Sequence, residues 1–175
     1  MRLLVAAAAL TLGAPAAAEV VSSSAHGFAL SHSAVVPLPP QDAIRAFAEV
    51  GRWWDGSHTY SGSASNLALT LQPGACLCER LPNGGAVEHL RVVYVDPGKR
   101  LVLTGSLGPL LYEATTGVLD VQFRPLGTGS RVTLTYKVAG FATGGADQLA
   151  PAVDQVIGGL VASYVGSTRA PAPAP

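Results

Sequence analysis

From Leu67 to Val138 the chain keeps one pattern: apolar residues at every second position, cut into short runs by turn-forming residues. That period belongs to β-strands, whose successive side chains point to opposite faces. "LALTLQ" alternates Leu67, Leu69 and Leu71 with Ala68, Thr70 and Gln72, and Pro73-Gly74 then turns the chain. "ACLCERL" and "AVEHLRVVYV" flank "PNGG", a strong hairpin signal. "DPGK" is another turn, "RLVLTG" another strand and "SLGPL" a connecting loop. "YEATTGVLDVQF" and "RVTLTYKV" predict two longer strands around a Gly-rich turn. Only towards the end does the period lengthen. Leu149, Val153, Val156, Ile157, Leu160, Val161 and Tyr164 form one apolar stripe, as in an amphipathic helix lying on a sheet, with Pro151 in its first turn. Gly158-Gly159 weakens that helix, but its small face lets the helix lie close to the sheet or leaves room for a ligand.

Ahead of the strand run, "HGFALSHSAVVPLP" reads as a strand ending at prolines. Pro39-Pro40 open a short helix with Ala43, Ile44, Phe47 and Val50 on one face. Gly51 interrupts it, "RWWD" makes a second helical turn, and a Gly/Ser loop runs to Asn66. The order is strand, two short helices, six strands, long helix. Helices segregated from strands in this way predict an α+β fold with an antiparallel sheet of about seven strands.

The two ends read differently from this body. Residues 1–18, "MRLLVAAAALTLGAPAAA", combine a basic start, a short apolar run and small residues before Glu19. That is the order of a secretory signal peptide cleaved after Ala18, which places the protein in the periplasm or outside the cell. Residues 169–175 form an Ala-Pro tail expected to be extended. A single domain over 19–168 remains, and about 150 residues is ample for one core. Without Arg2 it carries ten Lys+Arg against eleven Asp+Glu. That balance gives no electrostatic case for nucleic acid. No stretch after the leader reads as a membrane span.

Alternation also assigns faces. Glu113, Thr115, Gly117, Leu119, Val121 and Phe123 form one inward set, and Val132, Leu134, Tyr136 and Val138 its partner. With Asn83-Gly84 as turn centre, Cys78 lies opposite His89, Cys76 opposite Arg91 and Glu79 opposite Glu88. Leu77, Glu79, Glu88, Leu90, Val92 and Tyr94 then face inward; a bulge or a one-residue slip reverses this.

Several groups could carry chemistry. Glu79 and Glu88 on one cavity wall would form an acid–base pair; at a solvated hairpin end they would not. His58 lies in a loop beside aromatics, with Asp55 within reach to orient it and Tyr60 as a second proton donor. A loop-packing or capping role is the more ordinary reading of such a histidine. Tyr136 and Glu88 complete the acid–base candidates. Cys76 and Cys78 are either reduced or bridged, and a Cys-x-Cys bridge needs a local kink because strand residues i and i+2 stand roughly 6.5–7 Å apart. With His89 across the hairpin they are also a weak metal site. The motifs GxSxG, HExxH and GxxxxGK[ST] are absent from the sequence, so no cofactor is implied.

The element order, "WWD" after the first helix, "VEHLRVVYVDPGKRLVLTG" and "LGPL" resemble the START/SRPBCC superfamily, the helix-grip fold of the birch-pollen-allergen type. The likeness extends to its secreted members near the polyketide-cyclase and heat-shock-ATPase-activator branches. It implies a curved sheet wrapped around the C-terminal helix, with a cavity for a small hydrophobic molecule between them. Trp53, Trp54, His58, Tyr60, Leu90, Tyr94, Leu103, Glu113, Leu119, Tyr136, Val153 and Ile157 would line it. The leading expectation is an exported binding protein. A cyclase-like acid–base enzyme using the same cavity, and an envelope interaction module with a filled cavity, are the alternatives.

Overall fold

The computed structural model describes residues 19–169, so the leader lies outside it, as does the tail beyond Arg169. Eight antiparallel strands make one sheet: β1 (Glu19–Ser24), β2 (Gly27–Val36), β3 (Leu67–Leu69), β4 (Cys76–Arg80), β5 (Ala86–Asp96), β6 (Arg100–Gly105), β7 (Ala114–Leu126) and β8 (Gly129–Phe141). Their spatial order is β1-β2-β8-β7-β6-β5-β4-β3. Three helices, α1 (Pro40–Ala48), α2 (Val50–Trp53) and α3 (Ala146–Ser167), complete the α+β fold. β1 is the strand that the sequence pattern did not predict. It pairs with β2 across a tight turn and extends the sheet at one edge. α1 and α2 carry the chain from β2 to β3 at the opposite edge.

The inward assignment for the two longest strands holds. Leu119, Val121, Phe123, Val132, Leu134, Tyr136 and Val138 are all buried. Tyr136 fits because Gly117 on the neighbouring strand has no side chain: a Cβ there would stand 2.5 Å from the tyrosine ring. Its hydroxyl accepts from Leu107 N at 3.3 Å and donates to the Gly105 carbonyl at 3.4 Å. At the other end of the core, Tyr164 of α3 donates to the Ala43 carbonyl at 2.9 Å. Burial pushes the Tyr136 phenol up to about 12 and raises Tyr164 further. Both shifts favour the neutral phenol in the folded state, so stability is full below the ordinary tyrosine value of about 10 and falls as pH climbs above it. In an absorbance titration, two of the five tyrosines should therefore ionise only together with unfolding, and ionisation of all five while circular dichroism stays native would refute this.

The short helices break at Glu49 (φ −77°, ψ 47°) rather than at Gly51, which lies within α2. Gly51 instead permits close approach: a Cβ would sit 3.2 Å from the Ala64 carbonyl oxygen. α3 begins at Ala146, so Pro151 falls inside the helix and not in its first turn. By length and composition α3 is also apolar enough to cross a membrane, contrary to the sequence reading. Ile157, Leu160 and Tyr164 of its stripe are buried in the fold.

The paired glycines of α3 do different work. A Cβ on Gly158 would stand 3.0 Å from His32 Cε1, while one on Gly159 meets nothing within 4 Å. His32 has little freedom to yield, because it is buried on β2 and its Nε2 lies 2.8 Å from Asp154 Oδ1. Gly159→Ala should therefore stabilise the protein by about 0.8–1 kcal/mol through helix propensity alone. Gly158→Ala should gain nothing or lose stability. Equal gains in chemical denaturation would mean that the helix does not press on His32.

Candidate functional site

A cleft of about 410 Å³ opens at one end of the molecule. One wall is the N-terminal two-thirds of α3, through Leu149, Ala152, Val153, Val156, Ile157 and Leu160. The facing walls are the loop from Trp54 to Tyr60 and the segment Leu107–Leu110 with Tyr112. Among the described residues, His89 is the only one of the sheet that reaches it. The space is therefore bounded by helix and loops, and does not extend through the middle of the sheet–helix interface. There Phe47, Trp53, Phe123 and Tyr164 fill the volume with edge-on and tilted rings.

Of the residues expected around a cavity, Trp54, His58, Tyr60, Val153 and Ile157 border the cleft. The others do not. Trp53 is buried behind the cleft and donates Nε1–H to the Ala46 and Phe47 carbonyls. Leu90, Leu103, Leu119 and Tyr136 are sealed in the core. The carboxylate of Glu113 accepts from Thr143 N at 2.9 Å and ties the two connections at this end together. Tyr94 is 48% exposed on the far side of the sheet. Leu107, Pro109, Leu110, Leu149, Val156 and Leu160 were not assigned to the cavity; the last three belong to the helical stripe, and the first three are the "LGPL" segment.

The misplacements on β5 share one cause. Pairing runs Cys76↔Arg91 and Leu77↔Leu90, then slips, so that Cys78 faces Glu88 and Glu79 faces Val87. His89 is the extra residue of a β-bulge, and His89 and Leu90 are both buried. A second slip between Val92 and Tyr94 turns Val93 and Tyr94 both outward. The expected Glu79–Glu88 pair is therefore not formed: Glu88 lies outside and pairs with Arg91. In its place the bulge brings His89 onto Glu79. The His89 Nε2 lies 2.9 Å from Glu79 Oε2, with side chains 5% and 0% exposed.

Glu79 also accepts the backbone N–H groups of Tyr60 and Ser61. Burial alone would raise its carboxyl, but the hydrogen bonds from Ser61, His89 and Tyr60 outweigh burial and hold it below the usual glutamate value. This buried carboxylate thus pins the cleft loop to the sheet. Tyr60 in turn stacks on His89, ring centroids 5.7 Å apart, and donates its hydroxyl to the Gly108 carbonyl at 2.7 Å. Burial first, then Tyr112 and Glu79, raise the Tyr60 phenol.

The remaining catalytic candidates are not assembled. Asp55 accepts from the Ser57 N–H and hydroxyl, which hold its carboxyl below the ordinary value, and it does not bind the His58 ring. His58 stands exposed at the rim, where its carbonyl receives Trp54 Nε1–H at 3.2 Å. Tyr136 does not reach the cleft. The metal set is overturned as well. Cys76 and Cys78 form a disulfide, Cα atoms 5.3 Å apart, and His89 turns to the opposite face. The kink that such a bridge needs shows in that Cα separation, which is shorter than the roughly 6.5–7 Å of an extended strand. Cys76, Cys78 and Glu88 do cluster on the outer face, but both sulfurs are committed to the bridge.

No protein-family model and no curated protein matches the chain. Solved structures do. The Mll3558 protein of Rhizobium loti is 22% identical with a TM-score of 0.60, over 80% of this chain and 96% of that one. Ara h 8.0201 is 13% identical with a TM-score of 0.56, over 81% and 97%. The Aha1 dimer of Colwellia psychrerythraea gives 13% and 0.56, over 80% and 95%. The chain has the helix-grip fold. Likeness at this level of identity concerns the helix-grip architecture alone, and activity has to be argued from the cleft.

Proposed function

We propose that the protein is an exported binding protein for a small hydrophobic or amphipathic molecule, held in the cleft between α3 and the two loops. The observation that carries this reading is the cleft itself. Its volume of about 410 Å³ falls in the usual range for small-molecule sites, roughly 300–1,000 Å³. Leu107, Leu110, Ile157 and Leu160 form a buried apolar lining, with few polar groups among them. A kinship with the secreted SRPBCC proteins would agree with such a role. Export is supported by the leader-like first 18 residues and by the Cys76–Cys78 bridge, a bond at home in oxidising compartments.

Native mass spectrometry of the protein purified from its own host tests the reading. A co-purifying small molecule is the expected result. No adduct, together with no thermal shift across a panel of lipids and polyphenols, would sink it. Val153→Trp supplies a second check, because the new ring projects into the cleft from a half-buried position on α3. Apolar-probe binding should weaken roughly tenfold or more, with a melting temperature close to the parent's.

A further inference from the structure

Among the buried residues that line the cleft, His89 alone is polar; the others are Leu107, Leu110, Ile157 and Leu160. Its Nε2 faces Glu79, whose hydrogen bonds favour the ionised form. A carboxylate only accepts, so the hydrogen of this contact sits on Nε2. In the neutral imidazole that leaves Nδ1 as an acceptor. Among the described residues, every fully buried side-chain nitrogen or oxygen has a hydrogen-bond partner. His89 Nδ1 makes no hydrogen bond, so it is not sealed, and the space its ring borders is the cleft.

The other polar side chains there are engaged or peripheral. Ser57 donates to Asp55, Thr59 to the Gly56 carbonyl and Tyr60 to the Gly108 carbonyl. His58 and Tyr112 stand exposed at the rim. Among the described residues no Lys or Arg lines the cleft, and a charge behind its polar end is the Glu79 carboxylate, 2.9 Å from His89 Nε2. An anionic head group would meet a negative charge there with no cation to offset it.

We propose that His89 Nδ1, oriented by Glu79, is the polar anchor of the cleft, accepting a hydrogen bond from the hydroxyl of an uncharged and otherwise apolar ligand, a phenol or an alcohol. The apolar body of that ligand lies along Val153 and Val156 of α3. This inference rests on the binding reading above and specifies the ligand class.

The test compares 2-naphthol, 2-methoxynaphthalene and 2-naphthoate by calorimetry and fluorescence at neutral pH. The first should bind roughly tenfold tighter than the second, the worth of one hydrogen bond in a dry site, and tighter than the third. His89→Leu removes the acceptor altogether, while Glu79 keeps the two backbone donors of Tyr60 and Ser61. It should bind 2-naphthol and 2-methoxynaphthalene within about twofold of each other. Should the variant fail to fold, the imidazole 15N signals of the wild-type protein give the same answer. The Nδ1 signal of His89 should move on adding 2-naphthol and not on adding 2-methoxynaphthalene. Equal wild-type affinity for naphthol and its methyl ether overturns the anchor and leaves the cleft reading standing. Tighter binding of naphthoate overturns the uncharged ligand class. Failure of all three to bind overturns the cleft reading and the anchor with it.

Discussion

Trp53→Ala should lower the free energy of unfolding by about 3–5 kcal/mol, the usual loss for a large aromatic removed from a packed core. Trp53 is 6% exposed, and its ring centroid lies 5.2 Å from Phe47, 5.6 Å from Tyr164 and 5.6 Å from Trp54. Phe47 passes the contact on to Phe123 of β7, and Tyr164 belongs to α3. One side chain therefore joins the short helices, the long helix and the sheet. The hole left by alanine has rigid walls and cannot collapse cheaply. Trp53→Phe retains much of the packing but leaves the Ala46 and Phe47 carbonyls without the indole N–H, for a smaller loss of about 1–2 kcal/mol. Trp54→Ala, at a half-buried neighbour on the cleft wall, should cost less stability and weaken ligand binding instead. Denaturant titration of the three variants checks the order. A Trp53→Ala loss no larger than that of Trp54→Ala would show that the ring cluster does not hold the helices to the sheet.

Glu79→Ala should be comparably damaging, by about 3 kcal/mol, for an electrostatic reason. Three donors converge on this carboxylate: the N–H groups of Tyr60 and Ser61 and the His89 Nε2–H. Removing it leaves all three without a partner in a site closed to solvent. Glutamine is no substitute, since its amide would point a fourth donor at the same place. The sign of the pH dependence follows from the lowered carboxyl. A carboxylate with a depressed folded value contributes stability above its unfolded value, about 4.3, and loses it as pH falls through the folded one. Wild type and Glu79→Ala should accordingly converge in stability on acidification. A constant gap from neutral to strongly acidic pH would mean that the carboxylate's charge is not what holds the loop.

How much of this was legible in the sequence varied with the regularity of the strands. β7 and β8 pair without interruption from Ala114↔Phe141 to Leu126↔Gly129, so alternation alone identified their buried faces. The existence of the hairpin turn was equally plain, but its centre was not: Arg80↔Ala86 and the Leu81 N–H to Gly85 carbonyl bond centre it on Asn83 rather than between Asn83 and Gly84. β5 was not legible beyond that turn. An inserted residue leaves no mark in an apolar–polar alternation, so the bulges at His89 and Val93 inverted the placement of Glu88 and Tyr94. β3 ends at Leu69 although the alternation continues, since Gln72 N turns back onto the Thr70 carbonyl. The helical stripe of α3 was visible as a whole. Which part of it borders empty space depends on how far the loops reach, and nothing in its period encodes that. His58 attracted attention through Asp55, but Ser57, one residue nearer, had already claimed that carboxylate.

The bulge at His89 separates scaffold from specificity. Ladder pairing is regular on both sides of it, with Leu77↔Leu90 before the slip and Cys78↔Glu88 after it. A shorter chain lacking this single residue could run the same ladder straight through, with Leu77 and Leu90 still facing in and Cys78 and Glu88 still facing out. Such a protein would possess an oily pocket and no chemical grip. If His89 is the anchor proposed above, the difference between an indiscriminate apolar container and a selective receptor would arise through a length change of one codon, without any substitution in the walls.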